Sequence, residues 1–321
     1  MRAILSKFSD PMIVVLLFAT LMANILPAVG EARVIAQHIA NVSIFVLFLV
    51  NGIRIARAEI FRGFANWRFF LPLSLFVFGV MAAAGLGVSH IAGLYLEPRL
   101  ALGFLFLGCL PSTIQSATSY TTLAEGNAAL SVVGAALINI LGVFVTAPIF
   151  ALLAGGEAAQ LGNEVIIRIG LILILPFVIG QAIQGYFRDW VTERKDTVVW
   201  LDRIVIGILV YVAFSGAIEQ GLRNMTDGSG WLFFAVLTAA FMLFANAGAW
   251  AVSGFLGYPR ADRIAFLFAA AQKSVAIGAP LAAIMFAPEV AGFVIAPLLL
   301  YHLLQLLLAA PLASHFKQMR A

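Results

Sequence analysis

The sequence predicts an all-α polytopic membrane protein: ten transmembrane helices arranged as two inverted five-helix repeats. Three observations predict it. The first is composition. The 321 residues are 63% hydrophobic and 11% charged, whereas a soluble domain carries roughly 25% charged residues. So few polar groups cannot cover a soluble surface, and lipid around most of it removes the need. The second is length. A helix needs about 20 apolar residues to cross the hydrocarbon core, and ten stretches meet that need. The third is that the cations cluster in alternate loops.

The ten segments run approximately 11–29, 34–52, 68–94, 100–123, 128–154, 164–186, 198–220, 231–256, 263–286 and 289–313. They leave no stretch for a soluble domain. The start resembles a secretory signal, with Arg2 and Lys7 ahead of an apolar run from Met12 and small residues near Ala28 to Ala32. Asp10-Pro11 interrupts that approach and the run is long enough to span, so it is read as the first helix.

Charge sets the topology. The net charge is +4, but the cations sit in short loops between apolar spans, which points to membrane orientation rather than to nucleic acid. With the N-terminus inside, fourteen of nineteen cations are inside: Arg2, Lys7, Arg54, Arg57, Arg62, Arg68, Arg188, Arg194, Lys195, Arg203, Arg260, Arg263, Lys317 and Arg320. Four are outside: Arg33, Arg99, Arg168 and Arg223. Both termini are therefore expected in the cytoplasm, in a bacterial inner membrane. Ten helices divide into five and five, at 1–155 and 156–321. Because five is odd, the second set lies inverted, an architecture that recurs in transporters.

Segment four is the most polar stretch at membrane depth. Pro111 removes a backbone donor and breaks the helix. It is followed by Ser112, Thr113, Gln115, Ser116, Thr118 and further hydroxyls to Thr122. These groups can coordinate a cation or hold a polar substrate; the plainer reading is a kinked helix whose hydroxyls bond their own backbone. Segment nine is its counterpart. Phe104-Leu105-Phe106 recurs as Phe266-Leu267-Phe268, and each run turns polar after the same interval, at Pro111-Ser112 and at Gln272-Lys273-Ser274. Gly278 and Pro280 mark a helix break there. Lys273 is the one charge near a membrane centre. At a cost of at least about 2.5 kcal/mol it is a functional candidate by default; the plainer readings are snorkelling or a bond to carbonyls.

Other intramembrane polar groups are weaker. Asn51, Asn139 and Asn246 fit hydrogen bonds between helices, and His302 fits either a proton carrier or a packed ring. Several chemistries are excluded. The lone Cys109 forms no disulfide or thiolate cluster within the chain. No phosphate-binding loop, zinc-protease motif or serine-hydrolase elbow is present, and no nucleophile–base pair stands out, so no enzyme activity, catalytic residue or resident cofactor is expected. The expected partners are the lipid bilayer and a small-molecule substrate, not nucleic acid.

The chain resembles the bile acid:sodium symporter family. The residues that carry the resemblance are Gly108-Cys109-Leu110-Pro111-Ser112-Thr113, Gly126-Asn127-Ala128-Ala129-Leu130-Ser131 and Thr146-Ala147-Pro148-Ile149-Phe150. Lesser support comes from Asn51-Gly52-Ile53, Ala271-Gln272-Lys273-Ser274 and Gly278-Ala279-Pro280. The phrase CLPSTIQSATSYTTLAEGN resembles the divergent symporter-like branch, whose members are labelled sodium-dependent transporters. The resemblance covers essentially the whole chain. It implies a panel and a core domain, helices four and nine that unwind and cross in the core, and organic anions bound between the domains. It also implies Ser112, Thr113, Gln115, Ser116, Thr118 and Ser131 as site groups, with Gln272 and Ser274 opposite them. A sodium ion at Ser116, Thr118 and Gln272 is one option. The interval from Pro111 to Gly126 is one residue longer than the family's pattern, which leaves the correspondences from Ser116 to Ser119 open.

One departure bears on coupling. The family's acidic residue of helix nine is absent, with alanine or phenylalanine in its place, and its Gln-Asn pair is approximated by Gln272-Lys273. A sodium site without its carboxylate loses its main attraction, and a nearby ammonium repels the ion. The expectation is that Lys273 takes the role of a bound cation, with sodium or protons as the coupling ion. The expected function is alternating-access transport of an organic anion or other small solute; the alternative is a regulatory membrane protein or channel that keeps the fold.

Overall fold

The computed structural model describes residues 11–57, 66–155, 163–222 and 227–319. Of the cations used for topology, Arg2, Lys7, Arg62, Arg223 and Arg320 lie outside these residues. Every regular element among the described residues is a helix, the form that satisfies its own backbone where no water can. In order they are α1 (Pro11–Ile25), α2 (Glu31–Arg54), α3 (Trp67–Gly93), α4 (Pro98–Cys109), α5 (Ile114–Leu123), α6 (Ala128–Ala154), α7 (Ile167–Glu193), α8 (Lys195–Glu219), α9 (Gly228–Phe255), α10 (Arg260–Ala271), α11 (Val275–Met285) and α12 (Pro288–Gln318).

Among the described residues, eight stretches are long and apolar enough to cross a membrane, with α10 and α11 together forming one of them. The pair α4 and α5, bent by 62° at its break, makes a ninth; α1 is shorter, at 15 residues. The chain is thus an integral, multi-pass membrane protein.

Its contacts divide it into two compact units, one of residues 1–56, 160–225 and 278–295, the other of residues 57–159, 226–277 and 296–321. The first unit contains α1, α2, α7 and α8, and the second contains α3 to α6, α9 and α10. Each therefore draws helices from both halves of the sequence, while α11 and α12 begin in one unit and end in the other.

In the first unit α2 and α7 touch backbone to backbone. A Cβ on Gly52 would stand 2.3 Å from the Phe177 carbonyl oxygen, and one on Gly180 2.2 Å from that of Leu49. Small residues permit such contact between helices in lipid. The last carbonyls of α2, which have no helical donor, accept from Gln181 (Gly52 and Ile55) and Gln184 (Ile53 and Ile55) at 2.5–3.0 Å. At the other end of α2, Arg33 pairs with both Glu219 and Glu289.

In the second unit α3 and α4 make the same kind of contact through Gly85 and Gly108, where a Cβ would come within 2.8 and 2.5 Å of the Phe104 and Met81 carbonyls. The Gly126-Asn127 pair has a defined structural role. Asn127 caps α6 by accepting from the Leu130 N–H (3.1 Å), and it donates to the Asp262 carboxylate (2.8 Å) and the Ala261 carbonyl (2.9 Å). Gly126 makes room for Ile264, 2.6 Å from where its Cβ would be. The start of α6 is thereby fixed to the start of α10.

Candidate functional site

The two polar breaks open in the same way. α4 and α10 are each 12 residues long, and each is followed by an extended residue: Leu110 (φ −75°, ψ 147°) and Gln272 (φ −73°, ψ 143°). Phe104 and Phe266 each stand six residues ahead of it. The first break runs through 110–113 and the second through 272–274. This corrects one expectation. Gly278 and Pro280 do not interrupt the chain; both lie inside α11, and the helix lapses before them. The cause is the extended Gln272, which turns Lys273 out of the helical path.

Backbone freed at membrane depth must find partners within the protein, and here it does. Five consecutive carbonyls at the first break are each engaged. The Lys273 Nζ donates to Gly108 (3.1 Å) and Leu110 (2.7 Å). The Thr146 hydroxyl donates to Cys109 (3.0 Å), the Ser274 N–H to Pro111 (3.0 Å) and the Asn139 amide to Ser112 (2.6 Å). At the second break the Tyr301 hydroxyl donates to Ala271 (2.6 Å). The Gln305 amide accepts from the Lys273 N–H (2.8 Å) and donates to its carbonyl (3.2 Å). The two breaks are therefore in direct contact, through Ser274–Pro111 and through the lysine side chain. Gly142 on α6 provides a notch for the Pro111 ring; a Cβ there would be 2.5 Å from the ring.

Lys273 is fully buried. Its partners are the last carbonyls of α4, the negative end of that half-helix dipole, which is where a cation is most favoured. Among the described residues no group of three or more His, Cys, Asp or Glu could hold a metal ion. The Lys273 ammonium places one positive charge of the chain itself at the contact between the two breaks.

The other predicted groups divide by whether they already have partners. Ser131 is buried and shares a 3.1 Å bond with Thr121, whose hydroxyl also donates to Ala117. Ser274 Oγ accepts from the Ile277 N–H (3.3 Å) at the start of α11. Thr113 occupies the N-cap position of α5 without a side-chain bond, and Gln115 is exposed. In contrast, Ser112 Oγ, Ser116 Oγ, Thr118 Oγ1 and Gln272 Oε1 are buried without a hydrogen-bond partner. A buried unpaired oxygen is costly, and such atoms suit a cation or a ligand's donors. Ser116 and Thr118 are two residues apart on α5, so their side chains leave the helix on different sides. Sequence reading missed Tyr301 and Gln305 and took Asn139 for an ordinary helix–helix bond. The sign was there: Tyr301 and Gln305 are four residues apart in an apolar run, a spacing that puts both on one face.

Comparison with known proteins places these features. Residues 10–318 match the profile of the SBF-like CPA transporter family. The chain is 32% identical over 313 residues to an uncharacterized Pseudomonas aeruginosa protein, PA2026, covering 97% of this chain and 94% of that one. It is 30% identical over 319 residues to Escherichia coli K12 YfeH, named as a candidate symporter, covering 98% and 95%. It is 24% identical over 284 residues to mouse sodium/bile acid cotransporter 7, covering 87% and 83%. The match to transporters agrees with the absence of a hydrolytic or phosphate-binding motif in the sequence, and the chain belongs to the SBF-like CPA transporter family.

Proposed function

We propose that this protein is a secondary active transporter of a small organic anion, working by alternating access, with the Lys273 ammonium in the role of a bound coupling cation. The observation that carries this is the placement of Lys273 Nζ on the Gly108 and Leu110 carbonyls, across the contact between the two breaks. Carbonyls of unwound helices are where transporters of this architecture hold their coupling ions. Here a covalently attached cation fills that position, and the acid that would pair with a sodium ion is absent. Protonation and release at Lys273 would couple transport to protons. The unpaired oxygens of Ser112, Ser116, Thr118 and Gln272 are the candidate contacts for substrate or for a sodium ion.

The matched lengths and exits of α4 and α10 support an inverted repeat, with α1 to α6 the first copy and α7 to α12 the second. The interleaved compact units support a panel that contains α1, α2, α7 and α8 and a core that contains α3 to α6, α9 and α10. On this reading the chain crosses the membrane ten times, with both termini in the cytoplasm. The anionic class of substrate rests on the single buried cation, on the half-helix N-termini that start α5 and α11, and on the name of the mouse relative.

The test is uptake into proteoliposomes of a radiolabelled bile acid and a panel of small carboxylates. Concentrative uptake of one of them supports the proposal. No uptake under any imposed gradient, with a correctly inserted protein, would leave a regulatory protein or channel as the better reading. Thermal stability with and without sodium provides a second measure: a shift specific to sodium would argue for a bound ion in addition to Lys273.

A further inference from the structure

We infer that Gln305 is the positioning residue for Lys273, the group that holds the break in place and aims the ammonium at the first break. The inference rests on the reading of Lys273 given above. Because Gln272 is extended, Lys273 leaves the helix with its N–H and C=O free, and one side-chain amide engages both (2.8 and 3.2 Å). The amide's orientation is fixed by this pairing. Its oxygen must face the N–H and its nitrogen the carbonyl, since the flipped arrangement opposes donor to donor and acceptor to acceptor. The second amide proton then points to His302 Nδ1, at 2.8 Å. His302 is thereby set as an acceptor at Nδ1, with the ring proton on Nε2 in its neutral form. One turn earlier on the same face, Tyr301 holds the Ala271 carbonyl (2.6 Å). α12 thus carries a cradle for the backbone on both sides of the turn, and Gln305 is its centre.

The consequence is mechanical. With Gln305 in place, the Lys273 stem starts from a fixed point and its Nζ reaches Gly108 and Leu110. Without Gln305, the Lys273 backbone has unpaired groups and the ammonium loses its defined origin. The Gly108 and Leu110 carbonyls flank Cys109, the only cysteine in the chain and a fully buried one. Its reaction with N-ethylmaleimide therefore reports the opening of the first break, with no substrate required.

The experiment is a double-mutant cycle on the purified full-length protein, with Gln305→Leu and Lys273→Met alone and together. The cycle is run in parallel with Gln305→Glu, which keeps the shape and one acceptor but, when ionised, donates to neither the Lys273 carbonyl nor His302. Monodisperse elution establishes that each variant folds. Gln305→Leu is expected to speed Cys109 alkylation roughly tenfold, because the displaced ammonium loosens its two bonds to the carbonyls that flank Cys109, and Gln305→Glu by less. In the Lys273→Met background, Gln305→Leu should add little, because it acts through the lysine. If the two effects multiply independently, or if Gln305→Leu leaves alkylation unchanged, the inference is wrong. If Gln305→Leu alone fails to fold, the same decision rests on Gln305→Glu with and without Lys273→Met. The outcomes separate from those of the functional reading. A coupled cycle with normal uptake by Lys273→Met would uphold the positioning role and sink the coupling role of Lys273. Additive effects with uptake abolished would do the reverse.

Discussion

Replacing Gly142 with alanine adds one methyl at the point where α6 meets the first break. The new Cβ would lie 2.5, 2.6 and 3.0 Å from three atoms of the Pro111 ring. Ordinary contact begins near 3.4 Å, so the ring or α6 must shift by about 1 Å. Both are poorly able to yield, since the proline ring is rigid and α6 is anchored at the break by Asn139 and Thr146. Overpacking of this kind costs about 1–3 kcal/mol. The same shift would stretch the Ser274–Pro111 bond from 3.0 Å and the Lys273–Leu110 bond from 2.7 Å. Losing the bond to the ammonium adds about 1.5–3 kcal/mol. Gly142→Ala should therefore melt well below the parent protein in detergent and should transport poorly. The control is Gly87→Ala on α3, where an added Cβ meets nothing within 4 Å; it should melt at or slightly above the parent, because alanine is the better helix former. If Gly142→Ala and Gly87→Ala melt alike and both transport normally, the packing of Pro111 against α6 is not what shapes the break.

Ser116→Ala and Thr118→Val remove buried oxygens that have no protein partner; thermal stability should hold or rise while uptake affinity falls, and unchanged affinity would remove those oxygens from the site. Gly52→Ala and Gly180→Ala each place a methyl within 2.3 Å of a facing backbone oxygen, so either should separate α2 from α7 and lower the yield of monodisperse protein, whereas replacement of the open Gly185 should not. Arg33→Gln breaks pairs with Glu219 and Glu289, whose side chains are 39% and 34% exposed; the loss should stay near or below about 1 kcal/mol per pair and should shrink in high salt, as a melting series in sodium chloride would show.

Much of this was legible in the sequence, for physical reasons. Apolar length determines which stretches can span, so the segments around α2, α3 and α6 to α9 fall close to their expected positions. Pro111 announced the first break, because proline withdraws a donor wherever it stands. The second break was placed near Gly278 and Pro280, yet it falls at Gln272–Ser274. The turn to polar residues at Gln272 marks the spot, but no local helix breaker stands there: the helix ends because Gln305 and Pro111, 32 and 163 residues away from the groups they bind, offer the freed backbone partners. Lys273 was legible as an anomaly, but its target was not, since carbonyls have no signature in a residue list. Similarly, nothing in the sequence singles out Gly142, and only the structure shows that it faces Pro111. The hydroxyls of segments four and five look alike in sequence. The structure separates Ser131, which is hydrogen-bonded, from Ser112, Ser116 and Thr118, which are not.

The central claim is that Lys273 stands in for a bound cation and carries the coupling. The most direct measurement is substrate uptake into proteoliposomes under an imposed proton gradient or an imposed sodium gradient, for the parent protein and for Lys273→Ala. The account predicts uptake that follows the proton gradient, is indifferent to replacement of sodium by potassium, and is lost with its pH dependence in Lys273→Ala. Sodium-driven uptake that survives unchanged in Lys273→Ala would contradict it.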